Sequence, residues 1–569
     1  MSAQGPKHDT AATRLTRIAR ERYELLHDPA GEPFAVPVDG AKLVVMLRGA
    51  RSLRVELAAA YLQLHDAPPS QQALADALAA LEGLALAGPC RPLALRVAEH
   101  EGVLWLDLGD EQGRVVRVDE SGWQVLAESP VLHRRTALSA AMPEPRRREQ
   151  PGTVTDPLAS LWALLNVAER DRGLLAAFLV AALLPGIPHP ILALVGEQGT
   201  GKSTAARIIA SVIDPSTVPL RKPPKDLEAW TTAAMGSHVV AVDNLSVMPD
   251  WLSDALCRAS TGDGDVRRRL YSDADLHVVS FRRVVLVTGI DLGTVRDDLA
   301  DRLVMVELDR IEETGRRTDA DLARQWEAVA PVVLAGLLDL TAAVLATLPG
   351  LQLERLPRMA DFARVVAAVD TVTGSTALDR YRALSGDLAR DAVTSDPVLV
   401  ALTAFVVGTW TGAMADLHEG LTGTLGDTRP GRGWPANARA LGTVLKRRAP
   451  SLRRVGWTVE QTSQRCERGA LWRLTKPDET EPPSVSSGSR QASRQAEAPA
   501  MTSDNAESAA NPDGMTRQTP NLGLVPRTEK EKESCGDQSS SRHLVSQCHL
   551  HPTPRPADCW TCEHSAGVV

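Results

Sequence analysis

Residues 191–204 read ILALVGEQGTGKST, and this stretch decides the fold. Five apolar residues lead up to Gly196, where the spacing Gly-x-x-x-x-Gly-Lys-Ser begins. Glycines let the backbone turn tightly, so that successive N–H groups can point at a polyphosphate, and a helix predicted to start at Lys202 adds the positive end of its dipole. Lys202 would contact the β- and γ-phosphates, and the Ser203 hydroxyl would bind Mg²⁺. The stretch therefore predicts a strand, a phosphate-binding loop and a helix; the alternative is a glycine-rich turn without a ligand.

The predicted ligand of this loop is ATP or GTP together with Mg²⁺. The residues predicted to bind the nucleotide are Gly196, Glu197, Gln198, Gly199, Thr200, Gly201, Lys202, Ser203 and Thr204.

A second apolar strand, HVVAVD at 238–243, ends in an acid 41 residues after Lys202. An aspartate at the carboxyl end of a strand beside a phosphate loop can hold the water shell of Mg²⁺, so Ser203 and Asp243 form the predicted magnesium site. Asn244 stands where many ATPases carry a glutamate that polarises the attacking water. Because asparagine cannot act as a base, the sequence predicts slow hydrolysis or another catalytic group. The alternative for Asp243 is an ordinary acid at the end of a buried strand.

Two further polar residues flank later apolar strands. Thr288 follows the predicted strand Val284–Val287 and would contact the γ-phosphate or the attacking water; the alternative is an ordinary strand-end threonine. Arg302 precedes another apolar strand and could reach the γ-phosphate of a neighbouring subunit, where it would stabilise the charge that develops in phosphoryl transfer. The alternative for Arg302 is a salt bridge with Asp298 or Asp301. The predicted catalytic residues are Asp243, Asn244, Thr288 and Arg302.

Between these strands, residues 261–271 read TGDGDVRRRLY. Three arginines beside a glycine-rich turn, with a tyrosine close by, make a compact site for phosphate contacts and base stacking on a single strand. The alternative is a solvated basic loop. The predicted DNA-binding residues are Arg267, Arg268, Arg269 and Tyr271.

The order of these motifs resembles the superfamily III helicases, the AAA+-like ATPases of viral, phage and plasmid replication, and in particular the phage and prophage primase–helicases. The resemblance covers about residues 190–310. It implies a multidomain α/β fold with a P-loop AAA+-like ATPase core that assembles into a ring, with ATP between subunits. It also implies a hairpin at 261–271 that faces the ring channel and contacts single-stranded or forked DNA. Two residues depart from the family pattern, since Asn244 replaces the usual second acid and Thr288 replaces the usual asparagine.

Changes in composition and proline-rich or polar stretches divide the 569 residues into several units. The predicted units are an N-terminal α+β domain (1–142), a charged proline-rich linker (143–154), the ATPase core (155–318), a helical subdomain (319–428), a winged-helix-like domain (429–475), a disordered linker (476–545) and a zinc knuckle (546–569). A helix is predicted at Thr13–Leu26 and a strand at Ala41–Arg48. In the same domain the acids Asp107, Asp110 and Asp119 could form a metal cluster, although exposed turn carboxylates are the preferred interpretation.

The helical subdomain is predicted from long apolar periodicity at Asp319–Leu348, Met359–Ala368 and Pro397–Gly412. Arg358, in the sequence LPRMADF, could be a second arginine that senses the nucleotide.

The C-terminal cations predict a DNA-binding unit. Pro435–Arg448 reads as a helix with a basic end, and Gly456–Glu460 and Ala470–Leu474 read as a hairpin, which together favour a winged helix. The cations of this stretch are Lys446, Arg447, Arg448, Arg453, Arg454, Arg465, Arg468 and Arg473. Phosphate contacts from such a patch would make DNA binding sensitive to salt. The alternative is a protein-docking module.

The tail carries a possible zinc site. Residues 477–545 are rich in polar residues and predict disorder. After them, C-x-x-H and C-x-x-C supply thiolate and imidazole ligands of the kind that Zn²⁺ prefers. The predicted ligands are Cys548, His551, Cys559 and Cys562, with His549 or His564 as substitutes for His551. Incidental cysteines in a frayed tail are the alternative.

The composition limits the location and the class of protein. A net charge of −8 argues against a uniformly basic nucleic-acid coat, and three prolines cut the most apolar stretch, Gly173–Val195, into pieces too short to span a bilayer. The first residues have no apolar signal segment, and scattered cysteines suit a reducing compartment. We therefore expect a cytoplasmic protein without membrane insertion.

These features predict a DNA-dependent, helicase-like ATPase of phage or mobile-element replication, acting as a homo-oligomeric ring. The alternative is a nucleotide-dependent switch that binds DNA or a partner with little hydrolysis, which Asn244 favours. A signalling NTPase is a third class, but it would be expected to carry a C-terminal repeat array, and the sequence shows none.

Overall fold

The computed structural model describes residues 9–49, 52–147, 156–262, 264–268, 276–289, 295–425 and 434–477. Residues 264–268 and 276–280 are described by their backbone alone. The described residues all belong to one unit of the chain, and a second unit, 486–569, contains none of them.

The N-terminal elements are α1 (Ala11–Arg22), β1 (Tyr23–His27), β2 (Pro33–Pro37), β3 (Val45–Met46), α2 (Leu53–His65) and α3 (Gln71–Ala87). Helix α1 begins after Thr10, whose hydroxyl accepts a hydrogen bond from the Thr13 N–H. The helix predicted at Thr13–Leu26 is wrong at its C-terminal end, because the chain becomes extended at Tyr23 and pairs with β2. The predicted strand Ala41–Arg48 is reduced to β3, which pairs with β2 at the other edge.

Six short strands follow, namely β4 (Leu93–Ala94), β5 (Val97–His100), β6 (Val103–Asp107), β7 (Val115–Asp119), β8 (Gly122–Leu126) and β9 (Leu132–His133). Strands β5 to β8 pair in sequence order as an antiparallel meander. The meander shares its hydrophobic cluster with the centre of the molecule, whereas Leu15, Leu57 and Leu81 of the first helices form a separate cluster. The segment 1–142 thus contributes to more than one core.

A parallel sheet with helices on it forms the centre of the fold. Its elements are α4 (Ala159–Trp162), α5 (Glu169–Ala182), β10 (Ile191–Val195), α6 (Lys202–Ile213), α7 (Leu227–Met235), β11 (Val239–Val242), α8 (Asp250–Thr261), β12 (Gly264–Arg268), β13 (Leu276–Ser280), β14 (Val284–Thr288), α9 (Asp297–Ala300) and β15 (Leu303–Glu307). The strand order is β11-β14-β10-β15, and Arg221 adds a parallel bridge to Val242 at the outer edge. These strands read as continuous apolar runs because both faces of the sheet are covered, which leaves nearly every residue buried.

Three long helices pack against this centre, namely α10 (Asp319–Thr347), α11 (Ala360–Thr373) and α12 (Ala377–Ser395). Among the described residues, Asp319–Gly350 is the one helical segment long and apolar enough to cross a membrane, and 61% of its most apolar window is buried inside the protein. Its residues Val333, Leu337 and Leu338 belong to the central cluster. The apolar surface of α10 is therefore used in packing, as in the core helix of a globular domain.

The C-terminal module consists of α13 (Pro397–Phe405), β16 (Thr409–Ala413), α14 (Met414–Gly423), α15 (Ala438–Arg454), β17 (Thr458–Cys466) and β18 (Gly469–Thr475). The three strands form an antiparallel sheet in the order β16-β18-β17. The helix predicted at Pro397–Gly412 is wrong beyond Phe405, because the chain becomes extended and pairs with β18. One hydrophobic cluster runs from Val393 to Leu474, so α13 and α14 share a core with the hairpin.

Candidate functional site

The candidate phosphate loop, residues 196–203, connects β10 to α6. Gly196 has a φ of 144°, and a Cβ there would lie 2.9 Å from the Leu308 carbonyl oxygen. Gly201, the residue before α6, has a φ of 78°. Both glycines therefore occupy backbone conformations that other residues rarely adopt, and the local structure follows from the spacing of the glycines.

Lys202 lies across this loop. Its Nζ donates hydrogen bonds to the carbonyl oxygens of Gly196 at 2.8 Å and Glu197 at 2.6 Å. The hydroxyl of the buried Thr200 also donates to the Glu197 carbonyl, at 3.0 Å. The ammonium group thus sits at the N-terminal end of α6, within the loop whose N–H groups are expected to face an anion.

Three polar side chains that are distant in the sequence meet beside the loop. The Ser203 hydroxyl donates to Asp243 Oδ1 at 2.9 Å, and the Thr288 hydroxyl donates to the same oxygen at 2.6 Å. The strands bring them together, because β10, β14 and β11 are parallel neighbours whose carboxyl ends meet at one edge. A hydroxyl and a carboxylate oxygen in contact are the oxygen ligands that Mg²⁺ prefers.

Asn244 has a left-handed backbone with a φ of 56°. Its N–H donates to the Thr288 hydroxyl at 3.0 Å, and the Leu245 N–H donates to the Thr288 carbonyl at 2.8 Å. Asparagine tolerates the left-handed region better than most residues, so this turn gives a physical reason for asparagine at the position. The sequence alone gave the absence of a base at 244 but not the backbone conformation.

A cavity of about 600 Å³ opens on the other side of the loop. The loop and α6 contribute Gly199, Gly201, Thr204 and Ala205 to its lining, and the opposite wall includes Leu164, Asn166, Ile311, Arg316 and Leu322. Its volume matches the size class of small-molecule sites, and its lining combines apolar side chains with polar ones such as Asn166 and Arg316. Sequence reasoning missed this cavity, because its walls come from segments more than a hundred residues apart.

Asn166 joins the loop to the chain that follows β15. The side-chain Nδ2 of Asn166 donates to the backbone carbonyl oxygens of Thr200 at 2.8 Å and Asp309 at 2.5 Å. The backbone carbonyl oxygen of Asn166 accepts from the Asp309 N–H at 2.9 Å. A β-bridge between Val167 and Leu308 continues this pairing. Nothing in the apolar sequence around residue 166 signals this role, which depends on where β15 ends.

Arg302 makes the ion pair that was the alternative to a role in a neighbouring subunit. Its Nη1 lies 3.1 Å from Asp298 Oδ1 and donates to the Asp298 carbonyl at 2.7 Å, and its side chain is only 13% exposed. Arg358 pairs with the same carboxylate at 2.5 Å and with Asp301 at 3.3 Å. Burial raises the pKa of Asp298, but Arg302 and Arg358 outweigh it and hold that pKa below its ordinary value.

The segment predicted to contact DNA begins after α8, where Gly262 has a φ of 97°. Strands β12 and β13 pair antiparallel, with Arg267 opposite His277 and Arg268 opposite Leu276. The structure gives the backbone of Arg267 and Arg268. Arg269 and Tyr271 lie outside the described residues.

The cations of the C-terminal module divide into two groups. Some form ion pairs, as Arg448 does with Asp396 at 3.1 Å and Arg468 with Glu419 at 2.9 Å. Others form an exposed row on one face of α15. The exposed cations of this row are Arg439, Lys446 and Arg447, with the uncharged and exposed Thr443 between the first two. Their spacing of four, three and one residues places them on one side of the helix.

The metal candidates have separate outcomes. Cys548, His551, Cys559 and Cys562 lie outside the described residues. Within the described part of the chain, no group of three or more His, Cys, Asp or Glu side chains could hold a metal ion. Asp107, Asp110 and Asp119 instead pair with arginines, at 2.6 Å from Arg135, 2.6 Å from Arg114 and 2.5 Å from Arg117 respectively.

Residues 158–391 match the family model of the actinomycete integrative conjugative element replication protein. Residues 398–492 match the model of the C-terminal domain of the same RepA family. The two matches together span more than half of the chain. None of the curated proteins compared with the chain matches it.

Solved structures with some likeness include the C-terminal region (305–718) of NrS-1, at 13% identity and a TM-score of 0.36, over 82% of this chain and 99% of that one. A JCV helicase solved with a bound small molecule matches at 13% identity and a TM-score of 0.23, over 42% of this chain and 65% of that one.

Proposed function

Because the chain belongs to the replication proteins of actinomycete integrative conjugative elements, we propose that it is a magnesium-dependent, DNA-stimulated ATPase with helicase-like action in the replication of a mobile element. The observation that carries the proposal is the contact of the Ser203 and Thr288 hydroxyls with one oxygen of Asp243, beside the glycine loop. Hydroxyl, carboxylate and glycine loop are the parts that phosphoryl transfer requires.

In this proposal, Lys202 leaves the carbonyl oxygens of Gly196 and Glu197 and moves to the β- and γ-phosphates. Ser203 and Asp243 hold Mg²⁺, which would neutralise charge on the phosphate oxygens. Thr288 orients the Asp243 carboxylate through its hydrogen bond of 2.6 Å. The remaining loop residues, Glu197 to Thr204, supply backbone N–H groups.

The cavity beside the loop would take the nucleoside of ATP. It adjoins Gly199 and Gly201, so a nucleotide with its phosphates on the loop can extend into it. Leu164, Ile311 and Leu322 offer apolar surface to a base. This position supports binding of a whole nucleotide rather than of phosphate alone.

The fold class that we propose is a P-loop AAA+-like core with a winged-helix module. The strand order β11-β14-β10-β15, extended by the bridge at Arg221, supports the first assignment. Helices α13 to α15 with the sheet β16-β18-β17 support the second. In a homo-oligomeric ring, Arg302 would exchange Asp298 for the γ-phosphate held by a neighbouring subunit.

DNA would bind at two places. The hairpin β12–β13, with Arg267, Arg268, Arg269 and Tyr271, would contact a single strand. The exposed face of α15, with Arg439, Lys446 and Arg447, would contact phosphates of a forked substrate. A cytoplasmic location and a Zn²⁺ site in the tail remain part of the proposal, and metal analysis of the purified protein would test the latter.

Asn244 favours a second candidate, a switch that binds ATP and DNA with little turnover. The residue offers no base, and its left-handed backbone disfavours a glutamate at this position.

Steady-state ATP hydrolysis with and without single-stranded DNA tests the proposal. We expect turnover that DNA increases several-fold and that Asp243→Ala removes. Asp250→Ala, which changes an exposed acid outside the site, should behave as wild type. Tight ATP binding without turnover in either condition would establish the switch instead.

A further inference from the structure

A network of charged side chains lies beside β15. It has five members, Asp298, Asp301, Arg302, Arg358 and Arg454. Arg358 joins the two carboxylates, at 2.5 Å from Asp298 and 3.3 Å from Asp301. Arg302 pairs with Asp298, so it is connected to Asp301 through Arg358.

The remaining arginine comes from the C-terminal module. Arg454 Nη1 lies 2.5 Å from Asp301 Oδ1, although 153 positions separate the two residues. The Asp301 side chain is only 11% exposed, so removing its arginine partners would leave a largely buried carboxylate without a counter-ion. A charge-assisted pair of this length also orients the two side chains relative to each other.

Helix α15 connects this contact to the exposed basic face. Arg454 is its last residue, while Arg439, Lys446 and Arg447 lie along the same helix. The helix has 17 residues and is about 25 Å long, with Pro450 between the basic face and Arg454. The basic face and Arg454 thus lie on one continuous helix.

The network also adjoins the start of the hairpin. Arg302 and Arg358 line a small cavity of about 150 Å³ together with Thr261, the last residue of α8 before β12. The network therefore lies between α15, which reaches Asp301 through Arg454, and the end of α8, from which the chain enters the hairpin.

We propose that Arg454 is a positioning residue, which through Asp301 sets the position of Arg302 so that DNA seated on α15 changes the rate of ATP turnover. This inference rests on the proposed function. Neither Asp301 nor Arg454 lines the cavity beside the phosphate loop, and their effect passes through Arg358 and Asp298. DNA that presses α15 inward strengthens the Arg454–Asp301 pair, so Arg358 turns from Asp301 to Asp298. There it competes with Arg302 for the carboxylate, which releases Arg302 from Asp298.

The test measures ATP turnover with and without a forked DNA, and the affinity for that DNA, in the full chain. In R454Q we expect the ratio of stimulated to unstimulated turnover to fall to about one, while DNA affinity stays within about two-fold of wild type. R454K, which keeps the charge, should restore part of the ratio. The matched control is R48Q, which removes an ion pair of similar length with Glu82 in the N-terminal elements and should keep the wild-type ratio.

D301N removes the other partner of the Arg454–Asp301 pair and should lower the ratio of stimulated to unstimulated turnover as R454Q does. The double variant should have a ratio no lower than that of either single variant. If DNA stimulates the wild-type protein and R454Q keeps the same ratio of stimulated to unstimulated turnover, the inference is overturned while the proposed function stands. A loss of DNA affinity that accounts for the lower ratio would make Arg454 a DNA contact, which also overturns it. Wild-type protein that shows no stimulation by DNA contradicts the proposed function, and the inference falls with it.

Discussion

Two regions of the molecule differ in how their polar side chains are paired. One is the phosphate loop at the carboxyl end of the parallel sheet, here called the loop end, and the other is the region around helix α9, here called the α9 end. At the loop end, Ser203 and Thr288 donate to Asp243, so neutral hydroxyls surround one carboxylate. At the α9 end, Arg302 already has an ionised partner, Asp298, in its own chain.

This difference sets what each region needs before it can act. The hydroxyl and carboxylate oxygens can accept a cation with a small rearrangement, since their relative positions are already fixed by adjacent strands. In the proposed ring, Arg302 would exchange one anionic partner for another, because losing its pair without replacement leaves a largely buried charge at a cost on the order of a few kcal/mol. The loop end thus brings its polar groups together within one chain, whereas the role proposed for Arg302 would need a neighbouring subunit.

The largest effect is expected from a change at the α9 end, where Arg302 is removed. Arg302→Ala should lower ATP turnover about a thousand-fold, the range of an arginine that acts across a subunit interface, and leave ATP affinity nearly unchanged. Turnover and nucleotide binding are measured on the same oligomer. Arg296→Ala, which removes another arginine–aspartate pair of the core, serves as the control. Full turnover in Arg302→Ala would reduce the residue to its salt bridge.

Lys202→Ala acts on the loop end. We expect ATP affinity to fall roughly a hundred-fold, because charge-assisted contacts to the phosphates are lost. Equilibrium binding of a labelled ATP analogue measures the change, with Lys225→Ala as the control for an exposed lysine. Unchanged affinity would defeat the assignment of the phosphate loop.

The hairpin can be separated from both regions. Replacing Arg267, Arg268 and Arg269 together by Gln should weaken single-strand binding about thirty-fold and flatten its salt dependence, since up to three phosphate contacts disappear. ATP affinity should stay at the wild-type value. A binding titration at two salt concentrations checks this, and intact DNA affinity would remove the hairpin assignment.

Asn166→Asp should give the smallest change in ATP binding, and it tests whether Asn166 holds the phosphate loop in place. The carboxylate cannot donate to the carbonyl oxygens of Thr200 and Asp309, so the loop loses two bonds of 2.8 and 2.5 Å at almost constant volume. We expect about ten-fold weaker ATP binding, with the KM for ATP raised more than kcat is lowered. An equal loss in a control such as Asn437→Asp, a distant helix cap, would point to a general effect on stability.

The helices and strands that sequence reasoning located correctly share a local cause. The apolar runs of β10 and β14 and the glycine spacing after β10 fix both the burial and the backbone conformation within a few residues. Element ends were less well defined. At Tyr23 pairing with the next strand, β2, decided that a helix stops, and after Phe405 pairing with the distant strand β18 did so. The conformation of Asn244 likewise depends on contact with Thr288.

The sequence by itself determined the glycine loop, the acid at the end of β11 and the polar residue at the end of β14, because each depends on residue type and near neighbours. Only the tertiary structure decided that Asn166 holds the loop, that a cavity adjoins it, and that Arg454 reaches Asp301. Those contacts join residues 34 to 153 positions apart. Their partners are chosen by the order of strands and the packing of helices, which no local pattern of residues records.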